Sequence, residues 1–174
     1  FSLREFFILN SLAPSLKLSY DSEELPLSVK PDKQVAVTDV MALLRATYEG
    51  TDWDTTKNLK VPSKKKDSSD KDSITSPAAN PWMTTDMINM LNEVKPRTVD
   101  RNRLVDVPQC SYSHVIQLRK WLPDAVGGVA WLSFDNPGQS PRIPIFSGST
   151  ALPPSFGICG QHRHRTDAAI WSFR

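Results

Sequence analysis

Apolar residues recur at helical spacing in three early stretches of the chain and alternate at strand spacing in its last third. Leu3, Phe6, Phe7 and Leu9, followed by Asn10, predict a first helix that Pro14 ends, because proline lacks the N–H a continuing helix needs. Val40, Leu43, Leu44 and Thr47 mark one face of a second helix. Thr38 is its expected N-cap, Asp39 suits the positive end of its dipole, and Gly50 is its expected stop. A third helix runs through Met87, Ile88, Met90, Leu91 and Val94, capped by Thr84 or Thr85 and closed by Pro96. Met87 and Leu91, four apart, predict a core-facing stripe on it.

Residues 113–119 predict a strand, although Val115, Leu118 and Leu122 also satisfy helical spacing. Over 128–134, Val129, Trp131 and Ser133 alternate with Ala130, Leu132 and Phe134, and strong β-formers dominate. The Pro- and Gly-containing stretch 120–127 can join these two as antiparallel neighbours. Asp135, Asn136, Pro137 and Gly138 signal a turn. Residues 142–146 are extended, with Pro144 confining them to an edge or a bulge. Helices early and antiparallel β structure late make an α+β pattern. The connector 15–33 is rich in Pro and charge, and 61–79 collapses into Lys, Ser, Asp and Pro, the composition of a flexible surface loop.

Composition narrows the function classes. The 174 residues carry 21 basic and 19 acidic side chains, a formal charge of +2. The basic cluster Lys64, Lys65 and Lys66 is offset by Asp67, Asp70 and Asp72, so a solvated loop is expected there and no nucleic-acid partner. No stretch approaches the roughly 18 apolar residues of a membrane span. Both ends, Phe1 to Leu9 and Ala168 to Phe173, carry apolar residues suited to the interior of a fold. The expectation is therefore an incomplete piece (1–174) of a single domain, with compartment and homo-oligomer formation left open.

Candidate chemistry is sparse in the residues themselves. His162 and His164 with nearby Cys159 fall short of the three or four convergent ligands zinc requires, and Arg163 and Arg165 repel a cation; no metal and no cofactor are expected. Cys110 and His114 are four apart and would face each other on a helix, but no local signature supports a nucleophilic pair over a packed thiol beside an imidazole. Two cysteines make no disulfide framework, and free thiols are preferred to a single bridge. Phosphate-binding glycine loops, G-x-S-x-G elbows and paired-carboxylate motifs do not occur.

Several blocks taken in order carry a resemblance. They are Tyr48-Glu49-Gly50-Thr51-Asp52-Trp53-Asp54-Thr55-Thr56-Lys57, then Asn80-Pro81-Trp82-Met83, then the run from Cys110 to Arg119, then Leu122-Pro123-Asp124 through Trp131, and Ile143-Pro144-Ile145-Phe146. This series closely resembles the cysteine dipeptidases of the N-terminal-nucleophile hydrolase superfamily, the lactic-acid-bacterium dipeptidase A group. Relatives carry an Arg-Thr-Ile-like triplet where this chain has Arg103-Leu104-Val105, which puts any role of that threonine in doubt.

The resemblance implies a four-layer αββα sandwich and a dipeptide substrate. It also implies a nucleophile that is the first residue of the mature chain, a cysteine using its own α-amino group, of pKa about 7.7–8.0, as base. Neither Cys110 nor Cys159 can supply a terminal amine, so the nucleophile is expected upstream of Phe1 and the 174 residues are expected to be inactive alone. Arginine binds carboxylates through two parallel hydrogen bonds. Arg103 and Arg119, in matching blocks, are thus candidates to hold the dipeptide's charged end, with Gln117 as a polar partner. The alternative for Arg119 is a surface pair with Asp124, and Asp54 can equally be a carboxylate that fixes a loop. A non-enzymatic relative of the secernin type, with a structural or interaction role, is the alternative to a peptidase.

Overall fold

The computed structural model describes residues 2–22, 24–62 and 73–153. Its elements in chain order are α1 (Leu3–Leu12), α2 (Val37–Leu44), β1 (Lys60–Pro62), β2 (Ser73–Thr75), α3 (Thr85–Val94), β3 (Tyr112–Leu118), α4 (Asp124–Gly127), β4 (Gly128–Phe134) and β5 (Ile143–Phe146). Helices and small antiparallel sheets mix as an α+β chain. Among the described residues no helix is long and apolar enough to cross a membrane. Contacts divide the chain into two compact units, one within 1–45 and 105–174, the other within 46–104.

In the first unit, α1 begins with a reciprocal cap: the Ser2 hydroxyl accepts from Glu5 N at 3.4 Å and the Glu5 carboxylate accepts from Ser2 N at 2.6 Å. It stops before Pro14, as expected, and a 3₁₀ turn follows over Pro14–Leu16. Leu3 and Phe6 are buried, and Tyr20 meets the Phe6 ring edge-on at 5.6 Å between centroids. The charged connector is tied down by Asp32, which accepts from Ser15 N at 2.8 Å and from its hydroxyl at 2.5 Å.

The second helix departs from its sequence expectation at both ends. Its N-cap is Ala36 and not Thr38, and the Asp39 carboxylate reaches back to accept from Ala36 N at 2.9 Å. Asp39 thus satisfies a free N–H directly as well as meeting the dipole. The helix ends at Leu44, six residues short of Gly50, and its C-cap Arg45 turns its guanidinium onto the carbonyls of Pro137 (2.9 Å) and Ser140 (3.3 Å).

The three-stranded sheet has the order β3-β4-β5, antiparallel throughout, with Val115 opposite Trp131 and Trp131 opposite Pro144. Pro144 lies on an edge strand, where a missing N–H costs no ladder bond. The pleat separates two faces. One carries Ser113, Val115 and Gln117 with Val129, Trp131 and Ser133; Val115, Val129 and Ser133 are buried. The other carries Tyr112, His114, Ile116 and Leu118 with Ala130, Leu132, Ile143 and Ile145. It is apolar yet open: Ile116 is 64 % and Leu118 79 % exposed.

The second unit is built around Tyr48, Val99 and Leu104, with Thr55 and Thr56 buried beside them. Of the stretch 61–79, expected as a loop, residues 63–72 lie outside the described residues; on either side of them β1 and β2 pair as a short ribbon with Val61 opposite Ile74, and β-branched residues suit that pleated pairing. Thr84 caps α3 by accepting from Met87 N at 3.3 Å. The core-facing stripe expected of α3 is not found. Met87 is 47 % exposed, no residue of α3 is buried, and Met83, Met87, Met90 and Leu91 line an open groove with Leu59, Ala78 and Ala79.

Candidate functional site

The turn between β4 and β5 organises a buried polar cluster in the first unit. Asn136 accepts through Oδ1 from Gly138 N at 2.9 Å and from Gln139 N at 3.1 Å, an Asx turn that closes the loop on itself. Gly138 N also donates to Asp106 Oδ1 at 3.0 Å. A Cβ at position 138 would overlap the Asp106 carboxylate, which is why glycine stands there. Asp106 and Ser133 are fully buried, Asn136 and Ser140 nearly so.

Two arginines close the cluster. Arg45 holds the turn's carbonyls, and Arg142 donates to the Ser113 hydroxyl at 2.9 Å and to the Trp131 carbonyl at 3.3 Å. Burial pushes the Asp106 carboxyl up to about 6, against the Gly138 N–H and the charges of Arg45 and Arg142, which pull it down. Arg142 is lowered by its own burial and by Arg45, with Cys110 and Asp106 opposing. Ser133 Oγ, Ser140 Oγ, Asn136 Nδ2 and Arg142 Nε are buried without a hydrogen-bond partner among the described residues.

Gln117 and Arg119 lie in this same unit, two apart at and just beyond the end of β3. Gln117 accepts from Trp131 Nε1 at 3.3 Å. Arg119 donates to the Val126 carbonyl and sits 5.8 Å from the centre of the Phe146 ring. The surface pair with Asp124 does not form among the described residues; a nearer carbonyl and an aromatic face take the guanidinium instead. Arg119 Nε is buried without a partner there. Arg103 belongs to the second unit, exposed, with its backbone carbonyl accepting from the Tyr48 hydroxyl at 2.9 Å. The structure thus brings Gln117 and Arg119 into one unit and leaves Arg103 in the other.

Cys110 is a free, half-buried thiol whose Sγ contacts the Tyr112 carbonyl at 3.2 Å. The helical reading that would face it with His114 fails, since β3 starts at Tyr112 and four residues of extended chain span about 13 Å. His114 is exposed and Tyr112 stacks on its ring. Cys159, His162 and His164 lie outside the described residues.

Asp54 fixes a loop in the second unit. It accepts from Thr56 N (2.8 Å), the Thr56 hydroxyl (2.7 Å) and Gly50 N (3.1 Å). Burial alone would raise its carboxyl, but these hydrogen bonds and the charge of Lys60 outweigh it and hold the group below its ordinary value of 3.8. The stabilisation is complete above that value and is lost as pH falls through the lowered one. Asp54→Asn is accordingly expected to flatten the acid limb of the urea-midpoint profile below about pH 4. A variant whose acid limb matches the wild type would remove Asp54 from that role.

The sequence singled out the 135–138 turn but neither Asp106 nor the two arginines that serve it. Asp106 lies in a stretch without periodicity, and its partners are 30 or more residues away. The Asn-Pro-Gly run was the one local signal, since Asn opening a turn offers its side chain to the backbone.

The comparisons with known proteins fall on this same ground. A family model described as peptidase family C69 matches residues 2–174. A probable dipeptidase of Latilactobacillus sakei is 25% identical over 146 residues, covering 84% of this chain and 24% of the relative. A probable dipeptidase B of Streptococcus pyogenes serotype M1 is 27% identical over 141 residues, covering 81% of this chain and 23% of that relative. The chain thus spans about a quarter of the length of these curated relatives. No solved structure matches it. With a family model matching from residue 2 to residue 174, the chain belongs to peptidase family C69.

Proposed function

We propose that the whole protein is a cysteine-type dipeptidase, and that these 174 residues are part of its single catalytic domain. The observation that carries this reading is the family match over residues 2–174, seconded by relatives named as probable dipeptidases. In this reading the nucleophile is a cysteine at the mature N-terminus, contributed by sequence other than these residues. Its α-amino group takes the thiol proton, the thiolate attacks the peptide carbonyl, and donors stabilise the oxyanion until water releases the acyl group. Alone, the 174 residues are inactive.

The open apolar face of the β3-β4-β5 sheet supports the finer fold proposal. A soluble protein rarely leaves so many adjacent apolar positions uncovered, and a second sheet laid on them would make the inner layers of an αββα sandwich. Arg119, with Gln117, is proposed to meet the dipeptide's carboxylate, supported by an Arg119 Nε that no described residue occupies. Arg103 is the second candidate for that role.

The test is hydrolysis of unblocked dipeptides by the whole protein, with release of both amino acids and loss of activity on thiol alkylation. No release across a broad dipeptide panel would favour the non-enzymatic, secernin-type reading instead. Removing a charge-assisted hydrogen bond worth about 1.5–3 kcal/mol should raise KM on the order of 10- to 100-fold. Arg119→Gln is therefore expected to raise KM by that factor for free dipeptides but not for C-terminally amidated ones. An equal effect on both substrates would assign Arg119 a structural role only.

A further inference from the structure

The second unit holds a basic concavity that the peptidase reading does not use. Asn58, Lys60, Lys95, Arg97 and Thr98 line a cavity of about 470 Å³, and no carboxylate is among them. The ion pairs among the described residues lie elsewhere, Lys33 with Asp39 and Lys57 with Asp100, so Lys60, Lys95 and Arg97 carry no such partner there. Lys60 is touched at longer range by the charge of Asp54 and donates to the Thr75 hydroxyl at 2.8 Å. Lys95 caps the C-terminus of α3, where a cation is favourable in any case. Neither lysine by itself points to a ligand.

Arg97 does. Thr98 N donates to the Lys95 carbonyl at 3.3 Å, closing a turn with Pro96 and Arg97 at its centre. Arg97 has φ +62°. Proline at the second position and a positive φ at the third define a type II turn, whose third position favours glycine or asparagine. A side chain there is strained, yet this turn carries the longest cation available. The strain is held in place: the Asn58 amide donates to the Arg97 carbonyl at 3.1 Å, and the Thr98 hydroxyl donates to the Lys95 carbonyl at 2.6 Å. From a turn fixed by these two hydrogen bonds, exposed Arg97 lines a concavity that holds two further exposed cations and no carboxylate.

We infer that this concavity binds a compact multivalent oxyanion, a phosphate group free or esterified, with Arg97 as its bidentate anchor and Lys60 and Lys95 balancing the remaining charge. A single carboxylate would leave two of the three cations uncompensated, whereas a phosphate dianion or a pyrophosphate offsets most of the charge. The site is independent of the dipeptidase reading and stands or falls apart from it.

The experiment is calorimetric titration of the whole protein with inorganic phosphate, pyrophosphate and phosphoserine, at ionic strength held constant with sodium chloride. Saturable one-to-one binding is expected for at least one probe. Arg97→Gly should weaken it by about 10-fold or more, and Lys60→Gln should weaken it as well. Lys33→Gln, whose lysine pairs with Asp39, should leave it unchanged. Because glycine fits the turn, the Arg97→Gly protein should melt no lower than wild type and up to about 4 °C higher. Absence of saturable heat with every probe, or binding that Arg97→Gly leaves intact, would overturn the inference. An Arg97→Gly protein that melts clearly lower would show the arginine to be structural, and would overturn it too.

Discussion

Tyr48→Ala is expected to cost about 3–5 kcal/mol, which would remove much of the stability of a typical domain. Tyr48 is 1 % exposed and is the largest fully buried side chain among the described residues. Its hydroxyl donates to the Arg103 carbonyl at 2.9 Å, joining the start of the second unit to its end. Its own carbonyl accepts from Thr51 N at 3.0 Å and from the Thr51 hydroxyl at 2.7 Å. The backbone there has φ +61°, a conformation unfavourable for a bulky residue and retained because the ring is held in the core. Tyr48→Phe keeps the ring and loses one hydrogen bond, so its cost should be about 0.5–1.5 kcal/mol. Urea unfolding of the two variants separates the packing from the hydrogen bond. A Tyr48→Ala loss no larger than that of Tyr48→Phe would show that the ring is not what holds the unit together.

The second large effect is a dependence on pH that one buried carboxyl confers. Asp106 titrates near 6 in the folded protein, against an ordinary value of 3.8. An acid whose folded value is raised binds its proton more tightly when folded, so it adds stability as pH falls from about 7 toward 4. The penalty for burying its charge is complete above the folded value. Asp106→Asn removes this titration while keeping the shape, and wild type should therefore gain on the order of 1–3 kcal/mol relative to the variant over that window. Asp106→Ala also deprives Gly138 N of one of its two acceptors and should be less stable than the Asn variant at every pH. Parallel urea-midpoint profiles for wild type and Asp106→Asn between pH 7 and 4 would contradict the burial of that carboxyl among Arg45 and Arg142.

Much of the fold was legible where local chemistry and packing agree. Pro14 lies beyond the end of α1, Thr84 starts α3, and Pro144 is on an edge strand. The alternation over 128–134 matched β4 because its two faces differ in burial. Legibility failed where a distant contact decided the matter. The second helix ends at Leu44, and its C-cap Arg45 is bound to a turn more than 90 residues away, so no sequence window holds both partners. Met87 and Leu91 have the spacing of a core stripe, but periodicity marks a common face without saying what covers it. The site divided in the same way. Of the residues nominated through the resemblance, Arg119 and Gln117 share a unit and Arg103 lies in the other, whereas Asp106 had no local mark at all.

The reading depends above all on a cysteine nucleophile that is neither Cys110 nor Cys159. Labelling the active whole protein with a dipeptide-derived thiol-reactive inhibitor, followed by peptide mass spectrometry, addresses this directly. The account predicts a single label on the N-terminal cysteine of the mature chain, with activity retained in Cys110→Ala and Cys159→Ala variants. A label on Cys110 or Cys159, with activity lost in the matching variant, would contradict it.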